Sequence, residues 1–204
     1  MRTLLLLHSI ISSGKGDNGW STTLPLGAWA RALSTTETAE QRSATTAASK
    51  ILGRLEDRRL IRRARSGHAR KVTITLLRPD GSGVDYSRPG DGNKDPFFSL
   101  HRRYWDDAWW SKLSLPATAM LLVALHERPG FTLPTEHVPQ WYGWSADTAE
   151  RGFRQLQRHG LLDIDARLKT APLSPTGQTK ENVYTLTNAF GRTRPGSKAR
   201  GAGQ

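Results

Sequence analysis

The chain carries AASKILGRLEDRRLI at residues 47–61 and TAERGFRQLQRHGLL at residues 148–162, and these two stretches decide the predicted fold. They align without a gap at an offset of 101 residues. In both, small and apolar residues recur at the spacing of a helix with one buried face, and two apolar residues then open a strand. The alignment therefore predicts two copies of one helix-and-strand unit.

The residues around the first stretch predict three helices and a hairpin. Helices are expected at residues 2–11, at residues 26–33 and from Ser43, whose hydroxyl suits an N-cap. Apolar residues and threonines alternate in RKVTITLL, as they do in a half-buried strand. Residues 61–77 are therefore predicted to form a two-stranded hairpin.

The second half repeats this order after an aromatic lead-in at residues 97–110. Ser145 is the expected N-cap of its last helix. We interpret the lead-in as core packing, and a ligand pocket or a stacking platform for single strands is the alternative. The expected elements are, in order, helices at residues 115–127, 136–142 and 146–159, a first strand at residues 161–164, a long loop, and a returning strand at residues 182–186.

Two segments interrupt the hydrophobic periodicity. Residues 78–97 are rich in Gly, Pro, Asp and Ser, which predicts a linker. Residues 191–204 hold no large apolar side chain and four positive charges, which predicts a basic disordered tail. The predicted domains are therefore residues 1–77 and residues 98–190.

The stretch SATTAASKILGRLEDRRLI resembles the recognition helix and strand entry of the MarR-type winged-helix regulators. The family pattern is a Ser, a polar half-turn and an apolar stripe that ends in Leu-Glu-x-x-x-Leu-Ile, and the resemblance covers about half of the first domain. It departs from that pattern at residues 33–43, which are longer than the usual turn. The residues that fit are Ser43, Leu55, Glu56, Leu60 and Ile61.

The stretch WYGWSADTAERGFRQLQRHGLL at residues 141–162 resembles the same unit in bacterial helix-turn-helix proteins, including those of plasmids, phages and replication initiators. Gly160 takes the customary glycine before the apolar pair, where the first half has Arg59. Together the two resemblances imply an α+β, mainly α, fold of two winged helix-turn-helix domains in tandem.

The outer face of the first such helix is a candidate for base recognition. An α-helix fits the major groove of DNA, where polar side chains reach base edges and basic ones hold phosphate. A merely solvated face is the alternative. The candidate residues are Ser43, Thr45, Thr46, Ser49, Lys50 and Arg54.

The first hairpin is strongly basic, because seven Lys or Arg and no acid lie between Arg58 and Lys71. A wing of this kind is expected to lie along the phosphate backbone or to enter the minor groove. The candidate phosphate contacts are Arg62, Arg63, Arg65, His68, Arg70 and Lys71.

The second domain has little net charge. Residues 1–77 hold 13 Lys and Arg against 5 Asp and Glu, a net of +8, whereas residues 98–190 hold 10 against 9, a net of +1. Two interpretations therefore stay open: a second DNA contact, or a role in homodimerisation or partner binding. Its candidate DNA contacts are Ser145, Thr148, Arg151, Arg154 and Arg158.

Composition narrows the function class. The net charge of +12 favours a polyanionic partner. The absence of cysteine excludes a disulfide framework and thiolate zinc sites. The sequence shows neither a His-Glu-x-x-His motif nor a phosphate-binding loop, so we expect no enzymatic activity, cofactor or metal. No apolar run approaches the roughly 18 residues of a membrane span, and a cytoplasmic, nucleoid-associated protein is expected.

The leading hypothesis from the sequence is a bacterial transcriptional regulator, a repressor, that recognises double-stranded DNA. The alternative is a plasmid or phage replication initiator or an accessory recombination factor. A third class is an adaptor that binds a protein partner and whose basic face is incidental.

Overall fold

Two units, Met1–Pro96 and Phe97–Gln204, make up the chain, and each combines helices with a small antiparallel sheet in an α+β fold. This description rests on a computed structural model. The structure describes residues 1–12, 14, 19–37, 40–66, 71–89 and 97–191.

The first unit contains the predicted helices and hairpin, and one strand that the sequence did not predict. The unpredicted strand, β1, joins the hairpin in a three-stranded antiparallel sheet of order β1-β3-β2. The element bounds are α1 Arg2–Ile10, β1 Ser21–Pro25, α2 Leu26–Ala32, α3 Gln41–Asp57, β2 Ile61–Ser66 and β3 Lys71–Leu76.

The core of the first unit fixes which face of α3 is free. Ala44, Ala48 and Leu52 are fully buried, and Leu55 is nearly so, which is the stripe of one helix face. Leu52 and Leu55 pack in one cluster with Trp29 of α2, whose indole N–H donates to the Val72 carbonyl at 3.1 Å. Ala44 and Ala48 pack with Ala30 of the same helix. The polar residues between these positions are therefore turned away from the core.

The prediction that Ser43 caps α3 is wrong. The helix begins at Gln41 with Glu40 as its N-cap, and the first helical hydrogen bond runs from Ala44 N–H to the Glu40 carbonyl at 2.9 Å. Ser43 therefore lies in the first helical turn, with its side chain exposed. The Thr35 hydroxyl lies 2.9 Å from the Ala44 carbonyl oxygen and links this turn to the segment before it.

The start of the predicted linker folds back on the first unit. Leu77 and Asp85 form an isolated β-bridge, and the Tyr86 N–H donates to the Leu76 carbonyl at 3.3 Å. The Tyr86 ring packs edge-on against His8 with ring centroids 4.9 Å apart. The Gly- and Pro-rich composition thus marks a turn within the unit. The end of the first domain, predicted at residue 77, was therefore placed too early.

The second unit contains the predicted helices in the predicted order, with longer strands. It adds two short helices in the lead-in and a two-residue strand, Phe131–Thr132, that the sequence did not predict. The loop predicted between residues 164 and 182 is instead mostly a hairpin of two nine-residue strands, in a sheet of order β4-β6-β5. The Ser145 hydroxyl accepts from the Thr148 N–H at 3.2 Å, which confirms the predicted N-cap. The bounds are α4 Arg103–Asp106, α5 Trp109–Lys112, α6 Leu115–His126, β4 Phe131–Thr132, α7 Val138–Tyr142, α8 Ala146–Arg158, β5 Leu162–Thr170 and β6 Gln178–Leu186.

The aromatic lead-in contributes to the core of the second unit, as its main interpretation predicted. Tyr104 on α4 is fully buried. Trp109 on α5 is half-buried and meets His159, at the end of α8, edge-on at 5.6 Å.

The turn from helix to strand is the same in both units. Arg59 has φ of 55° and Gly160 has φ of 66°, at matching positions of the alignment. The Leu60 N–H donates to the Leu55 carbonyl at 3.0 Å, and the Leu161 N–H donates to the Leu156 carbonyl at 2.9 Å. These bonds close the C-terminal end of each helix, where Arg59 or Gly160 adopts the left-handed backbone conformation. The two stretches that align at the offset of 101 therefore adopt the same local fold.

Candidate nucleic-acid interface

The outward face of α3 presents small hydroxyl residues and free cations. Ser43, Thr46, Lys50 and Arg54 are exposed, whereas Thr45 and Ser49 are half-buried. The hydroxyls of Thr45 and Thr46 donate to the Arg42 carbonyl at 2.9 and 3.0 Å, so they lie close to the helix. The six predicted residues therefore share one helix, and four of them are exposed.

Acidic side chains do not neutralise this face. From Gln41 to Leu55 the helix holds no Asp or Glu, and Lys50 and Arg54 make no ion pair within the described part of the chain. Arg42, exposed on the first turn, adds a third cation that the sequence reasoning missed. Its spacing of eight residues before Lys50 was the signal that would have identified it. The face thus carries three positive charges.

The β2–β3 hairpin, which follows α3 in the chain, adds exposed cations. Arg65 on β2 and Lys71 at the start of β3 are exposed, and neither has an ion-pair partner among the residues that the structure describes. Arg62 forms an exposed ion pair with Asp85 at 2.5 Å. His68 and Arg70, also predicted to contact phosphate, lie outside the described residues.

Arg63 differs from the prediction, because its guanidinium is turned to α3. Its Nε donates to Glu56 Oε2 at 2.6 Å, and its Nη1 donates to the Ser49 carbonyl at 3.1 Å. The backbone N–H of Arg63 also donates to Glu56 Oε1, at 3.0 Å. Both side chains are half-buried. Arg63 therefore ties the hairpin to the end of α3 and is not available to phosphate.

Removing this link is expected to destabilise the first unit. Arg63→Ala leaves the half-buried Glu56 carboxylate without its cation, which costs about 1–2 kcal/mol in the free energy of unfolding. Denaturant unfolding measures the difference. Arg65→Ala, on the same strand and exposed, is the control and is expected to change stability by less than about 0.5 kcal/mol. Equal stability of the two variants would show that the link contributes nothing.

The matching helix of the second unit, α8, neutralises much of its own charge. Arg151 pairs with Asp147 at 3.0 Å and Arg154 pairs with Glu150, both one turn apart. Arg158 is exposed and has no ion pair within residues 97–191. The Ser145 and Thr148 hydroxyls bond each other at 2.8 Å. The predicted cations of α8 are therefore mostly committed to acids on the same helix.

The two helices differ at their matching outward positions. Asp147 and Glu150 of α8 occupy the places of Thr46 and Ser49 of α3 at the offset of 101. A carboxylate in those places repels phosphate and base-edge acceptors, whereas a hydroxyl bonds to either. Of these two matching helix faces, that of α3 therefore carries fewer carboxylates.

Other site types find little support in the described residues. No group of three or more His, Asp or Glu side chains comes together there to hold a metal ion. Among the described helices, none has both the length and the apolar character that crossing a bilayer requires. Comparison with protein-family models, with curated proteins and with solved structures finds no match to this chain.

Proposed function

We propose that this chain is a double-stranded DNA-binding protein made of two winged helix-turn-helix units, and that the first unit makes the DNA contact. The element order α1-β1-α2-α3-β2-β3 and the sheet order β1-β3-β2 support this class. The second unit supports it through the same helix-to-strand turn and a sheet of matching order, β4-β6-β5.

One observation carries the proposal: the exposed face of α3 and the hairpin that follows it bear unpaired cations and hydroxyls and almost no acid. Lys50, Arg54, Arg65 and Lys71 are all exposed, without an ion pair among the described residues. Leaving like charges together destabilises a protein unless a polyanion neutralises them. Duplex DNA supplies such a charge along its whole length.

In this proposal the two parts of the face have different roles. Helix α3 enters the major groove, where Thr46, Lys50 and Arg54 contact base edges and adjoining phosphates. The β2–β3 hairpin lies along the backbone, with Arg65 and Lys71 on phosphates. The Arg63–Glu56 link holds the hairpin at a fixed angle to the helix, so both parts meet the duplex together.

We propose transcriptional regulation as the role, by occupation of a promoter and exclusion of polymerase. Selection of bound fragments from the host genome tests this role. Fragments that contain promoters are the expected result. Direct repeats at an origin of replication would instead favour the replication initiator, and failure to select any fragment would favour the protein-binding adaptor.

The salt dependence of binding tests the role of the hairpin. Removing one cation that binds a phosphate is expected to reduce the slope of log affinity against log salt by about 0.9, because fewer counterions are released. The double variant Arg65→Ala/Lys71→Ala is therefore expected to bind every duplex more weakly, with a slope reduced by about 2. Fluorescence anisotropy with labelled duplexes at several salt concentrations measures both quantities.

A matched control removes two exposed cations of the second unit, in the variant Arg128→Ala/Lys180→Ala. It lowers the net charge equally, so a general charge effect would lower its slope as well. We expect its slope to remain that of the wild type. Equal slopes for all three proteins would show that the hairpin is only a solvated surface.

A further inference from the structure

The outer edge of β5 is an open sheet edge. In the order β4-β6-β5 this strand is terminal, and its nine residues pair without a bulge to β6 on one side only. Residues 165–170 are exposed along their whole length. Natural proteins usually protect such an edge with Pro, bulges or charged side chains, because its free N–H and C=O groups pair with another strand. Strand β5 has neither Pro nor a bulge, and its charges are of both signs, so they do not repel a second copy as a strand of like charges would.

The charges of β5 are arranged symmetrically about Ala166. The strand reads LDIDARLKT, with Asp163 and Asp165 before this alanine and Arg167 and Lys169 after it. Side chains alternate along a strand, so these four charged residues share one face. Ile164 and Leu168 lie on the opposite face, also at equal distances from Ala166.

We propose that β5 pairs with β5 of a second copy of this chain, antiparallel and centred on Ala166, to form a homodimer. In this register Asp163 lies opposite Lys169 of the partner chain and Asp165 lies opposite Arg167. Four ion pairs then cross the twofold axis, while Ile164 meets Leu168 on the other face. The interface is self-complementary, as a twofold contact requires.

The hydrogen-bond pattern fits this register. In an antiparallel sheet alternate residues direct their N–H and C=O groups to opposite sides of the strand. When the pairing is centred on one residue, even-numbered positions pair with even-numbered ones and odd with odd. The N–H and C=O groups that point away from β6 in one copy therefore meet the same groups of the other copy. Six strands thereby join in one continuous sheet.

The matching strand of the first unit shows that this pattern is not a general property of the fold. Strand β2 is also the terminal strand of its sheet, but its charged residues are Arg62, Arg63 and Arg65, without an acid. Two copies of β2 would repel each other. Of these two matching strands, β5 is the one that combines an open edge with charges that complement themselves.

One interaction already made within the chain is compatible with this pairing. Arg167 and Lys169 reach Glu181 on β6, at 2.8 and 3.4 Å, and the hydrogen bond from Arg167 lowers the pKa of Glu181. A single carboxylate shared between two cations leaves each of them able to meet the Asp of a partner copy.

Analytical ultracentrifugation of the full chain without DNA tests the proposal. The wild type is expected to associate reversibly to a dimer. Two variants each give β5 one sign of charge: Asp163→Lys/Asp165→Arg makes it basic and Arg167→Asp/Lys169→Asp makes it acidic. Each is expected to raise the dimer dissociation constant roughly a hundredfold or more, because four attractive cross-strand pairs become four repulsive ones. Asp106→Lys/Asp107→Arg, with the same charge change on α4 and just after it, is the control and is expected to dimerise like the wild type.

Mixing gives the decisive result. The basic and the acidic variants are each monomeric alone, but together they are expected to form a one-to-one dimer, since all four pairs become attractive again. The chain that carries all four substitutions is expected to dimerise by itself, and thermal melting checks that every variant folds. A monomeric wild type, a dimer unaffected by either variant, or a mixture that stays monomeric would overturn the proposal. No DNA is present, so such a failure leaves the proposed DNA binding untouched.

Discussion

Replacing Gly152 with Ala is expected to destabilise the second unit by about 3 kcal/mol, near the upper end of overpacking effects in protein cores. Gly152 faces α6 from the middle of α8. A Cβ there would lie 2.6 Å from the Pro116 carbonyl oxygen and 2.6 Å from Met120 Cγ. The side chain of Met120 can move, but the backbone of Pro116 cannot move without displacing the whole helix.

Denaturant unfolding of the full chain, fitted to two transitions, measures this effect. The control is Gly27→Ala in α2, where the nearest atom to an added Cβ is the end of the flexible Arg31 side chain, at 3.9 Å. That substitution is expected to stabilise the first unit by about 0.5–1 kcal/mol, because Ala favours the helix. A Gly152→Ala protein as stable as the wild type would show that α6 and α8 are not packed this closely.

Reversing two of the three cations on the outer face of α3 is expected to reduce affinity for duplex DNA about a hundredfold or more, since each base or phosphate contact there is worth roughly 1–3 kcal/mol. The variant is Lys50→Glu/Arg54→Glu. Both side chains are exposed and unpaired in the described structure, so stability is expected to change little. Fluorescence anisotropy with a selected site and with random duplex measures the change in affinity.

The milder variants Lys50→Ala and Arg54→Ala distinguish base readout from simple attraction. If α3 reads bases, each is expected to weaken the preferred site by about 1–3 kcal/mol more than random DNA. Equal weakening on both duplexes would remove α3 from base readout and leave it a purely electrostatic role.

The second unit offers a control with the same charge change. Arg151→Glu/Arg158→Glu reverses two exposed cations of α8. In our proposal Asp147 and Glu150 keep this helix away from DNA. We therefore expect the affinity of this variant for duplex DNA to stay within about threefold of the wild type. A decrease as large as that of the α3 variant would show that both units contact the duplex.

Elements whose signals are local could be predicted from the sequence alone. The apolar stripe of α3 and α8 and the serine cap at Ser145 depend on residues within a few positions of one another. For the same reason the alternation in β3 was sufficient to predict a hairpin. The outer face of α3 followed from these elements, because a buried stripe fixes the opposite face of the same helix.

Features that depend on partners distant in the chain could not be predicted in this way. Strand β1 is too short to show a pattern, and its pairing with β3 joins residues about fifty positions apart, such as Thr23 and Thr73. Glu56 and Asp85 likewise decided the roles of Arg63 and Arg62, which the sequence presented as two equivalent members of one basic run. A charged residue's role depends on which opposite charge the fold brings within a few ångströms, and that distance is not encoded in local spacing.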